Sequence, residues 1–127
     1  MIYLDTHVVA WLYFDDRRNL PASVRSYIDG EDLFISPMVG LELTYMHDLS
    51  RLTAPADVVL NYLGDRIGLQ VCRESFEKIV RSANRLSWTR DPFDRIIVGH
   101  AALRQRPLVT KDDVIRANYP HAFWSET

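Results

Sequence analysis

The chain has 127 residues, 47% of them hydrophobic and 25% charged, with a formal net charge of −2. This is the ordinary composition of a globular protein, and the length suits one domain, residues 1–127. No apolar stretch approaches the roughly 20 residues that span a bilayer. The first residues lack the features of a signal peptide, and Cys72 is the only cysteine. We therefore expect a cytoplasmic protein without an internal disulfide or a thiolate metal cluster.

The charges are distributed unevenly along the chain. Residues 1–72 contain 5 Lys and Arg against 10 Asp and Glu, whereas residues 73–116 contain 10 against 6. The total charge does not indicate a nucleic-acid-binding protein, because such proteins usually carry a basic surplus. The basic part of the chain allows two interpretations: a surface that faces phosphates, or solvated helix faces that pair with the acidic part.

Short apolar runs alternate with helical patterns along the whole chain. In chain order, the pattern predicts a strand at 2–4, a helix over 8–12 capped by Thr6, a helix over 21–30, a strand at 33–35, a helix from Pro37 with Ser36 as N-cap, a helix over 56–67, a strand at 69–72, helices over 75–86 and 93–104, and a strand at 107–110. This alternation predicts an α/β domain with a central parallel sheet of four to five short strands. The strands are apolar throughout, so we expect helices on both faces of the sheet.

Two acidic residues follow predicted strands that are far apart in the sequence. Asp5 comes directly after the first strand, and Asp112 follows the last one. Open parallel sheets place their active sites at the carboxyl edge, where the strand order reverses. We therefore expect these two carboxylates to meet at one rim of the sheet.

Glu42 is surrounded in the helical pattern by apolar residues. Met38, Tyr45 and Met46 lie about one turn away, and Leu49 lies at the next turn. A carboxylate within an apolar stripe costs several kcal/mol unless it is paired or binds a metal, by order of magnitude. Glu42 is therefore a candidate ligand, with two alternatives: a partly exposed residue at the stripe edge, or one paired with a buried arginine.

Asp94 heads a second apolar stripe, which continues through Ile97, Val98, Ala101 and Ala102. The preceding residues allow another interpretation, in which Asp91 is the helix N-cap and Asp94 reaches back to a free N–H as in a capping box. Capping accounts well for Asp91. It accounts less well for Asp94, because the stripe directs that side chain toward the core.

A cluster of such carboxylates has a specific chemical use. Their oxygens are hard ligands suited to Mg²⁺ or Mn²⁺. Several of them cannot stay ionised together without a cation, because each negative charge raises the pKa of its neighbours. Divalent ions in such a cluster can activate water and stabilise the leaving oxygen of a phosphodiester.

Four segments resemble the motifs of one nuclease family, in the same order and with the same spacing. They are residues 2–6 (IYLDT), 35–43 (ISPMVGLEL), 88–95 (WTRDPFDR) and 108–112 (LVTKD). Together they resemble the motifs of PIN-domain nucleases over essentially the whole chain. The short length without an appended domain is similar to that of the VapC-like toxins of bacterial and archaeal toxin–antitoxin pairs.

The resemblance implies a PIN-like three-layer α/β/α fold, bound Mg²⁺ or Mn²⁺, endonucleolytic RNA cleavage, a homodimer, and inhibition by a small antitoxin that covers the cleft. The metal ligands that it implies are Asp5, Glu42, Asp94 and Asp112. Residues implied to support them are Asp91, Thr6 and Thr110. The neighbouring Asp113 is an alternative to Asp112, which we prefer because it falls where the family motif has its Asp.

Arginines close to the third motif are candidates for binding RNA phosphates. They are Arg81, Arg85, Arg90 and Arg95. The alternative is that they form salt bridges, to Glu74 or Glu77 for example. His7 lies two residues from Asp5 and invites a direct role, although histidines near helix starts are more often polar surface groups.

Three other functions are alternatives to an RNA nuclease. A binding module that kept the fold and lost the chemistry is disfavoured, because all four expected acids are present. A phosphoryl-transfer domain with an acceptor Asp is disfavoured by Thr6 and His7, which occupy the positions after Asp5. A DNA nuclease is the nearest rival, because metal-bound phosphodiester chemistry does not distinguish ribose from deoxyribose.

Overall fold

The computed structural model describes all 127 residues, which form five strands and seven helices. The strands are β1 (Ile2–Leu4), β2 (Leu33–Ile35), β3 (Gln70–Val71), β4 (Leu108–Val109) and β5 (Ala122–Phe123). The helices are α1 (Thr6–Tyr13), α2 (Ala22–Ile28), α3 (Pro37–Asp48), α4 (Ala56–Ile67), α5 (Phe76–Asn84), α6 (Pro92–Leu103) and α7 (Asp113–Asn118). The strands form one sheet in the order β3-β2-β1-β4-β5, with every neighbouring pair parallel. The predicted α/β class with a parallel sheet is confirmed.

The core lies around the three central strands. Tyr3 and Leu4 of β1 and Leu108 and Val109 of β4 are each at most 5% exposed. Because successive residues of a strand point to opposite faces, these strands are covered on both faces. This is the arrangement that their uninterrupted apolar sequences predicted. No helix is long and apolar enough to cross a bilayer.

The strand register determines what meets at the carboxyl edge of the sheet. Leu4 of β1 is opposite Val109 of β4, so Asp5 and Thr110, the next residues along each strand, emerge side by side. The chain adds β2 and β3 on one side of β1, and β4 and β5 on the other. The strand order therefore reverses between β1 and β4, which is where open α/β sheets hold their ligands.

Two elements, α7 and β5, were not predicted. Helix α7 has six residues and β5 has two, too short for either to show a hydrophobic period. Strand β5 is held by main-chain hydrogen bonds, from Leu108 N to His121 O (3.0 Å) and from Thr110 N to Phe123 O (3.1 Å). The position of β5 therefore depends on its pairing with β4, and the local sequence of β5 does not encode that pairing.

The apolar stripe predicted around Glu42 is only partly the buried face of α3. The residues that enter the core are Val39 and Leu43, each 0% exposed, whereas Tyr45 is 52% and Leu49 46% exposed. The prediction was wrong about these two residues, because residues 38, 42, 45 and 49 define a face that lies beside the buried one. The stripe after Asp94 was predicted better, since Ile97, Val98 and Ala101 are buried.

Candidate active site

Asp5 is the most constrained carboxylate in the molecule. It is 6% exposed, its Oδ2 accepts a hydrogen bond from the Thr110 hydroxyl at 2.6 Å, and its Oδ1 accepts one from the Thr6 N–H at 2.8 Å. Asp5 is thus itself the N-cap of α1, and the prediction that Thr6 caps this helix was wrong. Burial raises the pKa of Asp5, against the lowering effect of these two hydrogen bonds.

Thr110 connects the two central strands at this point. Its hydroxyl donates to Asp5 and accepts a hydrogen bond from the Asp112 N–H at 3.1 Å. Because the Thr110 side chain is fully buried, its hydroxyl has a fixed orientation. It holds the Asp5 carboxylate in place and positions the start of the segment that carries Asp112.

Glu42 reaches the same edge from α3. Its Oε1 accepts a short hydrogen bond from the fully buried Thr6 hydroxyl, which ties α3 to the start of α1. The pKa of Glu42 is raised, first by burial and also by the charges of Asp5 and Asp91. Glu42 forms no ion pair with an arginine, which excludes one of the two alternatives that the sequence left open. It is partly exposed, as the other alternative predicted, but its carboxylate is bound to Thr6 at the edge of the sheet.

Asp91 and Asp94 occupy the first turn of α6 but have different environments. Asp91 is the exposed N-cap, and its Oδ1 accepts from the Phe93 N–H at 2.8 Å and from the Asp94 N–H at 3.4 Å. Asp94 does not complete a capping box, because the Asp91 N–H donates instead to the Thr89 hydroxyl. The Asp94 carboxylate accepts no hydrogen bond from any group of the chain. Burial, followed by the charges of Asp91 and Asp5, raises the pKa of Asp94 to about 7.

Asp112 and Asp113 are also distinguished by their contacts. Asp112 is the N-cap of α7 and accepts from the Ile115 N–H at 2.9 Å through Oδ1. Its negative charge contributes to the raised pKa values of both Asp5 and Asp94. The Asp113 side chain is 96% exposed and lies 3.5 Å from Arg116. Asp112 is therefore the member of the pair that faces the other carboxylates.

These five carboxylates come from four regions of the sequence, and their charges raise the pKa values of Asp5, Glu42 and Asp94. No three of the His, Cys, Asp and Glu side chains are close enough together to hold one ion in the arrangement observed. The donor set nevertheless fits a hard divalent cation, because the half-buried Asp94, which has no hydrogen-bond donor, stays ionised beside the other carboxylates only when a positive charge lies nearby. Asp5, Glu42, Asp94 and Asp112 are the oxygen donors that would hold it.

A cleft of about 530 Å³ is lined by two of the five carboxylates and also contains cations that were not singled out from the sequence. Its walls include Asp5, Asp112, Lys111 and Arg116. Lys111 lies within the fourth motif, whereas Arg116 reaches the cleft from α7, which packs against β5. A larger cavity of about 590 Å³ lies near the start of β2, beside Gly30 and Leu33, and contains none of the five carboxylates.

Comparison with known proteins identifies the family. Residues 2–119 match the PIN domain family. The chain belongs to the PIN-domain family. Its fold is also similar to that of a chain in the crystal structure of VapBC2 from Rickettsia felis bound to a DNA fragment from their promoter. That match has a TM-score of 0.69 and 19% sequence identity, and it covers 98% of each chain. A search of curated protein sequences found no match.

The candidate RNA-binding arginines of this PIN domain have different surroundings. Arg95 donates from its guanidinium to three main-chain oxygens, those of Ala83 (2.9 Å), Thr89 (3.2 Å) and Asn84 (3.2 Å), and so joins the end of α5 to α6. Arg81 forms an exposed ion pair with Glu77, as the salt-bridge alternative predicted. No ion pair or side-chain hydrogen bond engages Arg85 or Arg90.

The packing of α5 on α6 fixes the position of the helix that carries Asp94. Gly99 of α6 lies so close to α5 that a Cβ atom added there would be 3.1 Å from the Ala83 Cβ. The Ser82 hydroxyl donates to the Gly99 carbonyl oxygen at 2.9 Å. With the three hydrogen bonds of Arg95, these contacts determine the direction of the first turn of α6.

Proposed function

We propose that this PIN domain, residues 1–127, is a metal-dependent endoribonuclease and acts in the cytoplasm as the toxin of a toxin–antitoxin pair. The observation that carries the proposal is the half-buried Asp94 carboxylate, which has no hydrogen-bond donor and faces four other carboxylates at the carboxyl edge of the sheet. Such a site is electrostatically unstable without a cation. Membership in a family of nucleases supports hydrolysis of phosphodiester bonds as the reaction.

The proposed cofactor is Mg²⁺ or Mn²⁺, held by Asp5, Glu42, Asp94 and Asp112. When bound, the cation would lower the pKa of the attacking water and stabilise the charge of the leaving oxygen. The chain itself keeps the ligands in place. Thr110 and Thr6 hold Asp5 and Glu42 by hydrogen bonds, and the N-cap role of Asp112 fixes its direction.

The basic residues supply a path for the RNA backbone. Lys111 and Arg116 in the cleft are suited to the phosphates close to the bond that is cleaved. Farther away, Arg81, Arg85 and Lys78 line a shallow cavity of about 230 Å³ on α5. We do not include Arg95 in this path, because its guanidinium is already engaged by three carbonyl oxygens.

The proposed function is tested by incubating the purified protein with single-stranded RNA and with DNA of the same sequence, with and without Mn²⁺. We expect internal cleavage of RNA that EDTA abolishes and added Mn²⁺ restores. Cleavage of DNA alone would identify the nearest rival, a DNA nuclease. Binding of RNA without cleavage at any metal concentration would identify a catalytically silent module.

Metal binding itself is expected to depend on Glu42. Mn²⁺ should raise the melting temperature of the wild-type protein, because a ligand that binds only the folded state stabilises that state. The rise should be much smaller for Glu42→Gln, which keeps the acceptor for the Thr6 hydroxyl but loses the charge. Thermal shift with Mn²⁺, and with Na⁺ at equal ionic strength as control, measures the difference. Equal shifts in both proteins would mean that Glu42 is not a ligand.

The proposed partners are a small antitoxin protein and a second copy of the chain. The VapBC2 structure to which the fold is similar supports an antitoxin as partner. A second copy is suggested by an exposed apolar patch, which consists of Leu41 (57% exposed), Tyr45 (52%) and Phe76 (70%). Two-fold dimers are the commonest way for a small domain to cover such a surface.

Sedimentation at micromolar concentration should therefore give a mass of about twice the 14.8 kDa of one chain. Phe76→Glu should shift the protein toward the monomer, because a charge in an apolar interface loses its hydration without gaining a partner. Val58→Glu is the matched control, since Val58 is an exposed valine on α4 outside the patch. A monomeric wild-type protein would contradict the dimer.

A further inference from the structure

A row of aromatic side chains borders the acidic cleft and has no role in the mechanism so far. His7 and Trp11 lie one turn apart on α1, with ring centroids 5.9 Å apart. The Trp11 ring is in turn 6.0 Å from the ring of Trp124, which follows β5. His7 and Trp11 line the same cavity of about 530 Å³ as Asp5 and Asp112. We refer to His7, Trp11 and Trp124 as the aromatic row.

Core packing explains only part of this arrangement. The residues of α1 that fill the core are Val8, Val9 and Ala10, each at most 5% exposed. Trp11 and Trp124 contact the core but are only partly buried, and His7 is exposed. The remaining surface of Trp11 therefore forms a wall of the cleft that contains two of the candidate ligands, Asp5 and Asp112.

The cleft combines the two kinds of group that a nucleotide needs. Lys111 and Arg116 carry positive charges suited to phosphates, and Trp11 offers a flat apolar surface suited to a base. Trp11 is six residues beyond Asp5, about 9 Å along the axis of α1 at the helical rise. A base stacked on Trp11 thus belongs to a nucleotide close to the reacting phosphate.

We propose that Trp11 stacks against a nucleobase beside the phosphate that is cleaved, and so positions the RNA in the cleft. Bases inside an RNA duplex are stacked on one another, whereas bases of single strands and loops are free to stack on aromatic side chains. Such stacking tolerates any base, since every base has a π-face. The inference rests on the proposed nuclease function and adds a residue that would bind its substrate.

The test compares three variants for cleavage of a single-stranded RNA oligonucleotide at saturating Mn²⁺. Trp11→Leu keeps apolar packing against the core and removes the ring, whereas Trp11→Phe keeps a ring. Phe14→Leu is the matched control, because Phe14 is an exposed aromatic residue (46%) that follows the same helix and does not line the cleft. Melting temperatures of all four proteins report any loss of folding.

We expect Trp11→Leu to raise KM by about 5- to 150-fold, with a smaller change in kcat. Trp11→Phe should restore most of the affinity, and Phe14→Leu should leave KM unchanged. The same RNA annealed to its complement should be cleaved slowly by the wild-type protein. Its KM should be the same for Trp11→Leu as for wild type, because bases in a duplex are stacked on one another and cannot stack on Trp11.

The outcomes separate this inference from the function on which it rests. If wild type cleaves the RNA and Trp11→Leu has an unchanged KM, the stacking role is wrong and the nuclease function stands. Equal damage by Trp11→Leu and Trp11→Phe together with lower melting temperatures would show a purely structural role. Absence of RNA cleavage by the wild-type protein would contradict both proposals.

Discussion

Asp5→Asn is expected to reduce RNA cleavage at least about a hundredfold while the protein stays folded. Loss of residues that merely support metal ligands typically costs 10- to 100-fold, so loss of a ligand should cost more. Asn has the same shape and is itself a good N-cap, so it can keep the hydrogen bond from the Thr6 N–H. Its amide nitrogen, however, donates where a metal needs an acceptor.

The control for this variant is Asp113→Asn, which changes an exposed carboxylate beside the same cleft. Cleavage rates at saturating Mn²⁺ and circular dichroism spectra should be measured for both proteins. Asp113→Asn should cleave at a rate close to that of wild type. Cleavage by Asp5→Asn at the wild-type rate would remove Asp5 from the active site.

Asp94→Asn is expected to have two large effects, a loss of RNA cleavage and a gain in stability. It should abolish cleavage, because it removes a candidate ligand that no group of the chain neutralises. In the absence of metal it should also stabilise the protein above neutral pH, by about 1–3 kcal/mol after allowance for partial solvent screening. The stabilisation follows from the pKa of Asp94, which burial and the neighbouring carboxylates raise to about 7.

The direction of the pH dependence follows from the two states of the protein. Between pH 4 and 7 the unfolded chain has an ionised Asp94, whereas the folded protein holds it protonated. The unfolded state then binds fewer protons at this residue, so the contribution of Asp94 to wild-type stability falls as the pH rises and levels off above about 7. The difference between Asp94→Asn and wild type should therefore grow from pH 5 to pH 8. Urea unfolding in EDTA at several pH values measures it, and a difference independent of pH would contradict the assignment.

Asp91→Ser provides the comparison for Asp94. Serine caps a helix about as well as aspartate, so α6 should be retained with little change in stability. Activity should fall only partly, through the loss of a nearby negative charge. If Asp91→Ser proves the more damaging to cleavage while both variants stay folded, then Asp91 is the ligand and Asp94 is not.

Local physical rules determined most of the fold from the sequence. The α/β class, the parallel sheet and the positions of β1 and β2 follow from apolar runs and caps, which act over a few residues. Ser36 and Asp91 were identified as N-caps because Pro follows each of them, and both accept main-chain hydrogen bonds in the structure. The approach of Asp5 to Thr110 and Asp112 was also predictable, because parallel strands bring their carboxyl ends to one edge.

The same reasoning failed where a contact depends on elements distant in the sequence. Thr6 has the sequence signature of a cap, yet it binds Glu42, because α3 packs close to the start of α1. Arg95 lies in the third motif, where an arginine could bind phosphate. In the structure, however, its guanidinium donates to three main-chain carbonyl oxygens at and after the end of α5. The sequence alone identified which carboxylates are candidates. Only the tertiary structure decided how each is held and which cations and rings share the cleft, because burial, charge and hydrogen bonding at the site come from elements that meet only in the folded chain.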